Sequence, residues 1–429
     1  MILVPIQIES FPLQDTRVNW IQRDGFNKKG RKLRVLCCPA NDGGCSFYRI
    51  TNPYQKLAQL YPNAIEVRFN QNPLGMLPQE KLIPGKAVWD TEFDWADMKW
   101  ADIVFTQNIS NFGGQYTARI IGKAKEMGKV VHYDTDDLLT KLYSGHRLEK
   151  VYEEKGLSEL TKFIYNNADI VTVTQAKFAD RIVKYCRGTL AIVKNAIDYT
   201  MPSWNGQPIP SDPRLCRVGW AGGIHHEEDV KEFATIPHLV NCRIGKNAVR
   251  WDFYGKPPPN KGQAFDDPAY LDDWQTHVWK NYEKIMCRGL KGQKNYTINY
   301  AMPAETYGLM YSNMDVAIAP LQMNDFNDSK SEIKVAECGR YGVPLIASNV
   351  GCYHETIKNG VTGYLIDPKA PKVQWVKKLV KVIKDKKHRE EMGRNLKAIT
   401  DEYFDLNKVV HFRLDLYESV FNVMGKELE

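Results

Sequence analysis

The stretch Asn327–Ser348, "NDSKSEIKVAECGRYGVPLIAS", holds the key to the fold. Its first part has helical spacing: Lys330, Lys334 and Glu337 stand at i, i+4 and i+7 and would share one helix face. A Gly-x-Pro turn then leads into the apolar run 343–348, which reads as a buried strand. Ser329 or Ser331 would supply the N-cap, placing Lys330 and Lys334 in the first turn. Cations sit poorly there unless an anion arrives, because the helix start is itself positive. One turn on, Glu337 offers two acceptors suited to a pair of vicinal hydroxyls. Diphosphate at the lysines and ribose at the glutamate would describe a sugar nucleotide. A solvated face with ordinary ion pairing fits the same spacing.

Working outward, short β-branched runs recur, each followed by a helical stretch. In the first half, strands are expected at 33–38, 64–69, 102–107, 129–134, 169–174 and 190–195. The Pro-rich stretch "MPSWNGQPIPSDP" (201–213) reads as a linker. The pattern restarts with strands at 216–222, 249–255, 296–301, 315–320, 343–348 and 363–367. Strands separated by helices imply parallel sheets covered on both faces. Two doubly wound halves joined at a hinge predict a cleft at the carboxyl ends of the strands. Segment 261–294 reads as an insertion with helical pieces.

A chain of 429 residues with 43% apolar and 25% charged content is globular and large enough for two or three domains. No apolar run reaches the roughly 18 residues of a membrane span. The opening "MILVPIQIESF" lacks a secretion signal, and nine cysteines without a C-x-x-C pair fit reduced thiols, so a cytoplasmic location is expected. Net charge is +7, most of the excess lying in the first half. Its densest basic run, "RDGFNKKGRKLR" (23–34), reads either as a solvated lead-in to a strand or as a surface for a polyanion.

Each half opens on a strand followed by a glycine pair. Gly43-Gly44 and Gly222-Gly223 would let backbone approach a ligand, with Arg49 adding charge near the first pair. His225 and His226 are adjacent and lack the helical spacing of metal ligands. "VVHYDTDDLL" contains Asp134-Thr135-Asp136, a pattern that can hold a divalent cation against a diphosphate. Ending a strand in a chain with two nucleotide-type halves, these acids read instead as orienting an acceptor hydroxyl or capping a helix. No metal is expected. Neither glycine loop forms the G-x-G-x-x-G of a dinucleotide enzyme.

Taken together, "ADIVTVTQAKFADRI…VKNAIDY", "VGWAGGIHHEEDV" and "DVAIAPL…NDSKSEIKVAECGRYGVPLIASNVG…ETIKNGVTGYLID" resemble the retaining GT-B glycosyltransferases, which include glycogen synthases and bacterial mannosyltransferases. "GGCSFYRITNP" and "YDTDDLL" are most similar to a subgroup associated with bacteriophage and bacterial genomes. The resemblance implies an α/β fold of the GT-B type, with two Rossmann-like domains facing a central cleft. The first would span 1–200 on the acceptor side and the second 214–404 on the nucleotide-sugar side. A final helix, about 405–429, would cross back to the first domain. Glu337 falls on the second glutamate of the family's Glu-x7-Glu, the ribose ligand, while Ser329 stands where the sugar-contacting glutamate belongs.

The implied activity is transfer of a sugar from a nucleoside diphosphate to a hydroxyl, with retention and without another cofactor. Asp134, Asp136 and Lys330 are the expected catalytic residues. Gly43, Gly44, Gly222, Gly223, Lys256, Ser329, Lys330, Ser331, Lys334 and Glu337 are expected at the donor, and Arg49, Asp136 and Asp137 at the acceptor. The acceptor could be a glycan, lipid, protein or a hydroxylated base in phage-type DNA. The missing first glutamate also suits a non-catalytic sugar-nucleotide binder.

Overall fold

The computed structural model describes residues 31–75, 95–108, 115–210, 212, 214–260, 263, 264, 266–290, 292, 293 and 295–424. The opening segment and most of the basic run 23–34 lie outside the described residues. The chain forms two compact units. The first comprises the described parts of Met1–Leu142, Leu148–Asn195 and Leu406–Glu429, and the second Tyr143–Arg147 and Ala196–Asp405.

Six parallel strands make the sheet of the first unit: β1 (Leu33–Cys38), β2 (Ile65–Phe69), β3 (Ile103–Thr106), β4 (Val130–Asp134), β5 (Ile170–Val173) and β6 (Thr189–Ile192), in the order β2-β1-β3-β4-β5-β6. Strands β3, β4 and β5 are buried along their whole length. That burial explains why they read as continuous apolar runs rather than alternating ones. The helix Phe412–Met424 belongs to this unit, where the Tyr417 hydroxyl bonds His132 Nδ1 at 2.9 Å.

The second unit repeats the architecture with β7 (Cys216–Ala221), β8 (Val249–Lys256), β9 (Tyr296–Tyr300), β10 (Val316–Ala319), β11 (Leu345–Ser348) and β12 (Gly363–Ile366). Their order is β12-β11-β10-β7-β8-β9, again all parallel. Its core gathers Val218, Trp251, Phe253, Ile318 and Ile346 from the sheet, with Trp279 and Tyr282 from the helix Trp274–Met286. Each such aliphatic side chain contributes about 1.5–3 kcal/mol by leaving water. The helical pieces of 261–294 therefore supply core.

Three local expectations are corrected. The Pro-rich stretch packs onto the second unit: Trp204 is fully buried, Arg340 Nε donates to its carbonyl at 2.9 Å, and Tyr341 bonds the Ser203 carbonyl. A burial worth several kcal/mol outweighs the loop character of the prolines around it. The helix of the opening stretch starts later than its spacing suggests, at Ile333, and runs to Arg340. Lys330 precedes it in extended backbone, so Lys330, Lys334 and Glu337 do not share a helix face. Neither serine caps it; the N-cap is Glu332, without a side-chain bond to the helix start.

Candidate functional site

In a doubly wound sheet, the chain departs in opposite directions from two neighbouring strands, and their carboxyl ends open a crevice. In the second unit those strands are β7 and β10. Gly222 follows β7, and a Cβ there would come within 2.3 Å of the Trp220 ring. Gly255 on β8, at φ +130°, holds its backbone against the Gly222 carbonyl, where a side chain would meet the oxygen at 2.0 Å. Packing thus accounts for Gly222. At Gly223 a Cβ would meet nothing within 4 Å, so packing does not require glycine there.

Asp229, buried on the short helix Glu227–Glu232, ties the two loops together. Its Oδ1 accepts from the Gln322 amide and Asn327 Nδ2, both at 2.8 Å, and its Oδ2 lies 2.7 Å from His226 Nδ1. The adjacent histidines therefore diverge: His226 turns to Asp229, whereas His225 stacks parallel on His146 at 5.9 Å. His146 and Tyr143 also pack against Phe326, with Lys330 Nζ 4.6 Å above the same ring. No sequence signal marked Asp229, Tyr143 or His146, because Gln322, Asn327 and Phe326, against which they are set, lie far along the chain.

Glu337 is buried, and its Oε2 accepts from the Tyr311 hydroxyl at 2.6 Å and from Lys334 Nζ at 2.8 Å. Lys334 also reaches the Tyr307 hydroxyl at 3.1 Å. Burial alone would lower the Lys334 pKa; Glu337 and Tyr307 outweigh it and hold the ammonium well above its ordinary value. The charge of Lys334, expected at the donor, is thus already matched by Glu337. Glu337 Oε1 makes no hydrogen bond among the described residues. Ser329 is buried, its hydroxyl donating to the Asp325 carbonyl at 2.7 Å, so it faces inward rather than toward a donor. Ser331 is half-buried between Lys330 and the helix. Lys256, ending β8, lies 5.8 and 5.4 Å from the rings of Tyr270 and Tyr300, near β9 and one strand away from the crevice.

In the first unit the corresponding strands are β1 and β3. The Gly43 amide, after β1, donates to Asn41 Oδ1 at 2.7 Å, whereas a Cβ on Gly44 would meet nothing within 4 Å. Ser46 donates to Gln107 Oε1 at 2.9 Å, and Gln107 donates in turn to Asp134 Oδ1 at 3.3 Å. Arg49 grips Asp134 with two prongs, Nε to Oδ1 at 3.0 Å and Nη2 to Oδ2 at 2.6 Å. Its Nη1 bonds the Val193 carbonyl at 2.5 Å and Asn195 Oδ1 at 3.1 Å. Thr172 adds a donor to Asp134 at 2.6 Å.

Burial works against both charges of this pair; each charge restores the other, lowering the Asp134 pKa and raising that of Arg49. Both are therefore spent on each other. Asp134, expected as catalytic, and Arg49, expected at the acceptor, are thus both engaged inside the protein. Asp136 and Asp137 are only half-buried. Burial, and then the neighbouring Asp137 carboxylate, push Asp136 up to about 6. Among the described residues no cluster of three or more His, Cys, Asp or Glu side chains could hold a metal ion. No described helix is long and apolar enough to cross a membrane.

Comparison with known proteins bears on the second unit most directly. Residues 279–398, which contain Lys330, Lys334 and Glu337, match the family "Glycosyl transferases group 1". A stretch of 119 residues is 29% identical to the capsular polysaccharide biosynthesis glycosyltransferase CapM of Staphylococcus aureus. It covers 28% of this chain and 29% of that one, so the chain spans well under a third of the curated relative it matches. Among solved structures, the sucrose-phosphate synthase of Thermosynechococcus elongatus aligns at TM-score 0.63 and 13% identity, over 92% of this chain and 100% of its own. Anabaena HepE, solved with UDP-glucose, aligns at TM-score 0.56 and 14% identity, over 90% and 100%. The two parallel six-stranded sheets with flanking helices are the α/β, two-domain fold of GT-B glycosyltransferases.

Proposed function

We propose that this chain is a glycosyltransferase that takes a sugar from a nucleoside diphosphate, bound in the second unit, and joins it to an acceptor hydroxyl with retention. One observation carries the reading. Within the family-matched segment, Glu337 has one carboxylate oxygen fixed by Tyr311 and Lys334 and the other without a hydrogen bond among the described residues. A carboxylate so oriented is preorganised to accept from ribose hydroxyls. Lys330 and the amides opening the helix Ile333–Arg340 then face the diphosphate, where positive charge stabilises the leaving group. Lys334 orients Glu337 instead of touching phosphate. Asp136, a carboxylate made more basic by its burial and by Asp137 beside it, is the group assigned to accept the proton of the acceptor hydroxyl. Retention rests on the family resemblance.

A sugar-nucleotide panel followed by thermal unfolding tests the donor. A true donor at a hundredfold excess over its Kd stabilises the fold by about 2.7 kcal/mol. Glu337→Ala should abolish that shift together with sugar transfer. If the variant bound and turned over the donor like the wild type, the site assignment would be wrong. Donor binding without turnover would instead identify a non-catalytic binder.

For the acceptor, the net charge of +7 supports a polyanion, with a hydroxylated base in phage-type DNA as the case to test. The stretch shared with a capsular polysaccharide enzyme favours a glycan hydroxyl. Salt separates them: transfer to DNA should fall steeply as salt rises, and transfer to a neutral glycan should not.

A further inference from the structure

A cavity of about 560 Å³ opens at the amino-terminal ends of β7, β10 and β11, at the other end of the strands from the crevice beside β7 and β10. Strands of four to six residues, at about 3.3 Å each, put roughly 13–20 Å between the two ends. Its wall carries Arg217, Arg340, Lys386, Arg389, Arg394 and Lys397 against two carboxylates, Asp315 and Glu390.

Half of that positive charge is already matched. Arg217 pairs with Asp315 through Nε and Nη2 at 3.1 and 3.2 Å. Arg340 and Lys397 share Asp401 at 2.8 and 2.7 Å. The other half is not. Arg389 is buried, yet its hydrogen bonds run only from Nη1 to the carbonyls of Val382 and Ile383, at 2.9 and 3.0 Å. Its Nε and Nη2 have no partner among the described residues, and no carboxylate pairs with it. Arg394 makes no hydrogen bond or ion pair with a described residue, and Lys386 has Glu390 alone, at 3.8 Å.

A buried guanidinium without an anion is costly, and its planar fork fits phosphate oxygens two at a time. Pro208, Ile209 and Pro344 give the cavity an apolar side for the organic part of a ligand. Its volume lies in the range that holds small organic molecules.

We propose that this cavity binds a small phosphorylated molecule, with Arg389 and Arg394 holding its phosphate and Lys386 standing at the rim. The site is separate from the Glu337 crevice and does not depend on how that crevice is read.

Calorimetric titration of the full chain with inorganic pyrophosphate tests it. Lys330→Ala serves as the background, removing the phosphate cation proposed for the opposite end of the sheet. Adding Lys386→Glu and Arg394→Glu reverses two exposed charges, and matching thermal melts confirm that both proteins fold. The expected result is saturable binding to Lys330→Ala with a Kd below about 1 mM, weakened at least tenfold by the two reversals. Binding that survives the reversals undiminished, or no saturable binding to Lys330→Ala, overturns the proposal.

Discussion

At the carboxyl ends of β1, β3 and β4, the buried charges of Arg49 and Asp134 in the first unit have found each other. At the ends of β7 and β10 in the second unit, the charges are arranged but one acceptor is left over. Arg49 and Asp134 close on each other and draw in Gln107, Thr172, Val193 and Asn195. Lys334 and Tyr311 hold one oxygen of Glu337 and leave the second. A buried pair with all its donors satisfied fixes a fold; a buried carboxylate half satisfied is ready to accept from something else. The same crevice in the same kind of sheet can thus serve as a keystone or as a binding site.

The sharpest way to break this comparison is Asp134→Ala. It strands the Arg49 charge in the interior and should cost about 3–5 kcal/mol, measured by denaturant unfolding. A variant of wild-type stability that had lost only its activity would instead make Asp134 a reacting group. Next in size, Glu337→Gln should raise the KM for the donor at least tenfold, about 1.4 kcal/mol, with a smaller change in stability. Steady-state kinetics across donor concentrations reads that split. Tyr311→Phe removes one hydrogen bond to Glu337 and should cost about 1 kcal/mol, seen as a several-fold rise in donor KM.

The smallest effect concerns Asp136. Its folded pKa of about 6 lies above the ordinary carboxylate value, so the folded state holds a proton that the unfolded chain releases. The stability this contributes is fully present below the unfolded value and is lost as pH rises through about 6. Asp136→Asn should remove that dependence. Relative to wild type, the variant should gain stability between about pH 4 and pH 6.5 and then level off, followed by melting across pH.

Some of this was readable from residues alone. Ten of the twelve described strands fall within the apolar runs marked in the sequence, and β6 and β8 overrun theirs by one residue, because burial on both faces leaves a local signature of consecutive β-branched residues. Glu337 and Lys330 were singled out by spacing, although the helix that justified the spacing begins three residues after Lys330. Arg49 and Asp134 were each noticed as charged groups near strand ends. That they consume one another could not be seen, since 85 residues separate them. Asp229, whose carboxylate joins two loops 93 residues apart, left no trace at all.

The sequence by itself determined the order of strands and helices, the doubly wound class and the segment proposed to carry the donor chemistry. These follow from burial patterns and turn residues that act over a few positions. Only the tertiary structure decided which charges are spent and which remain, how the Pro-rich stretch packs, and where a second basic cavity forms. Pairing depends on distance in space, and parallel sheets bring together residues that the chain keeps far apart.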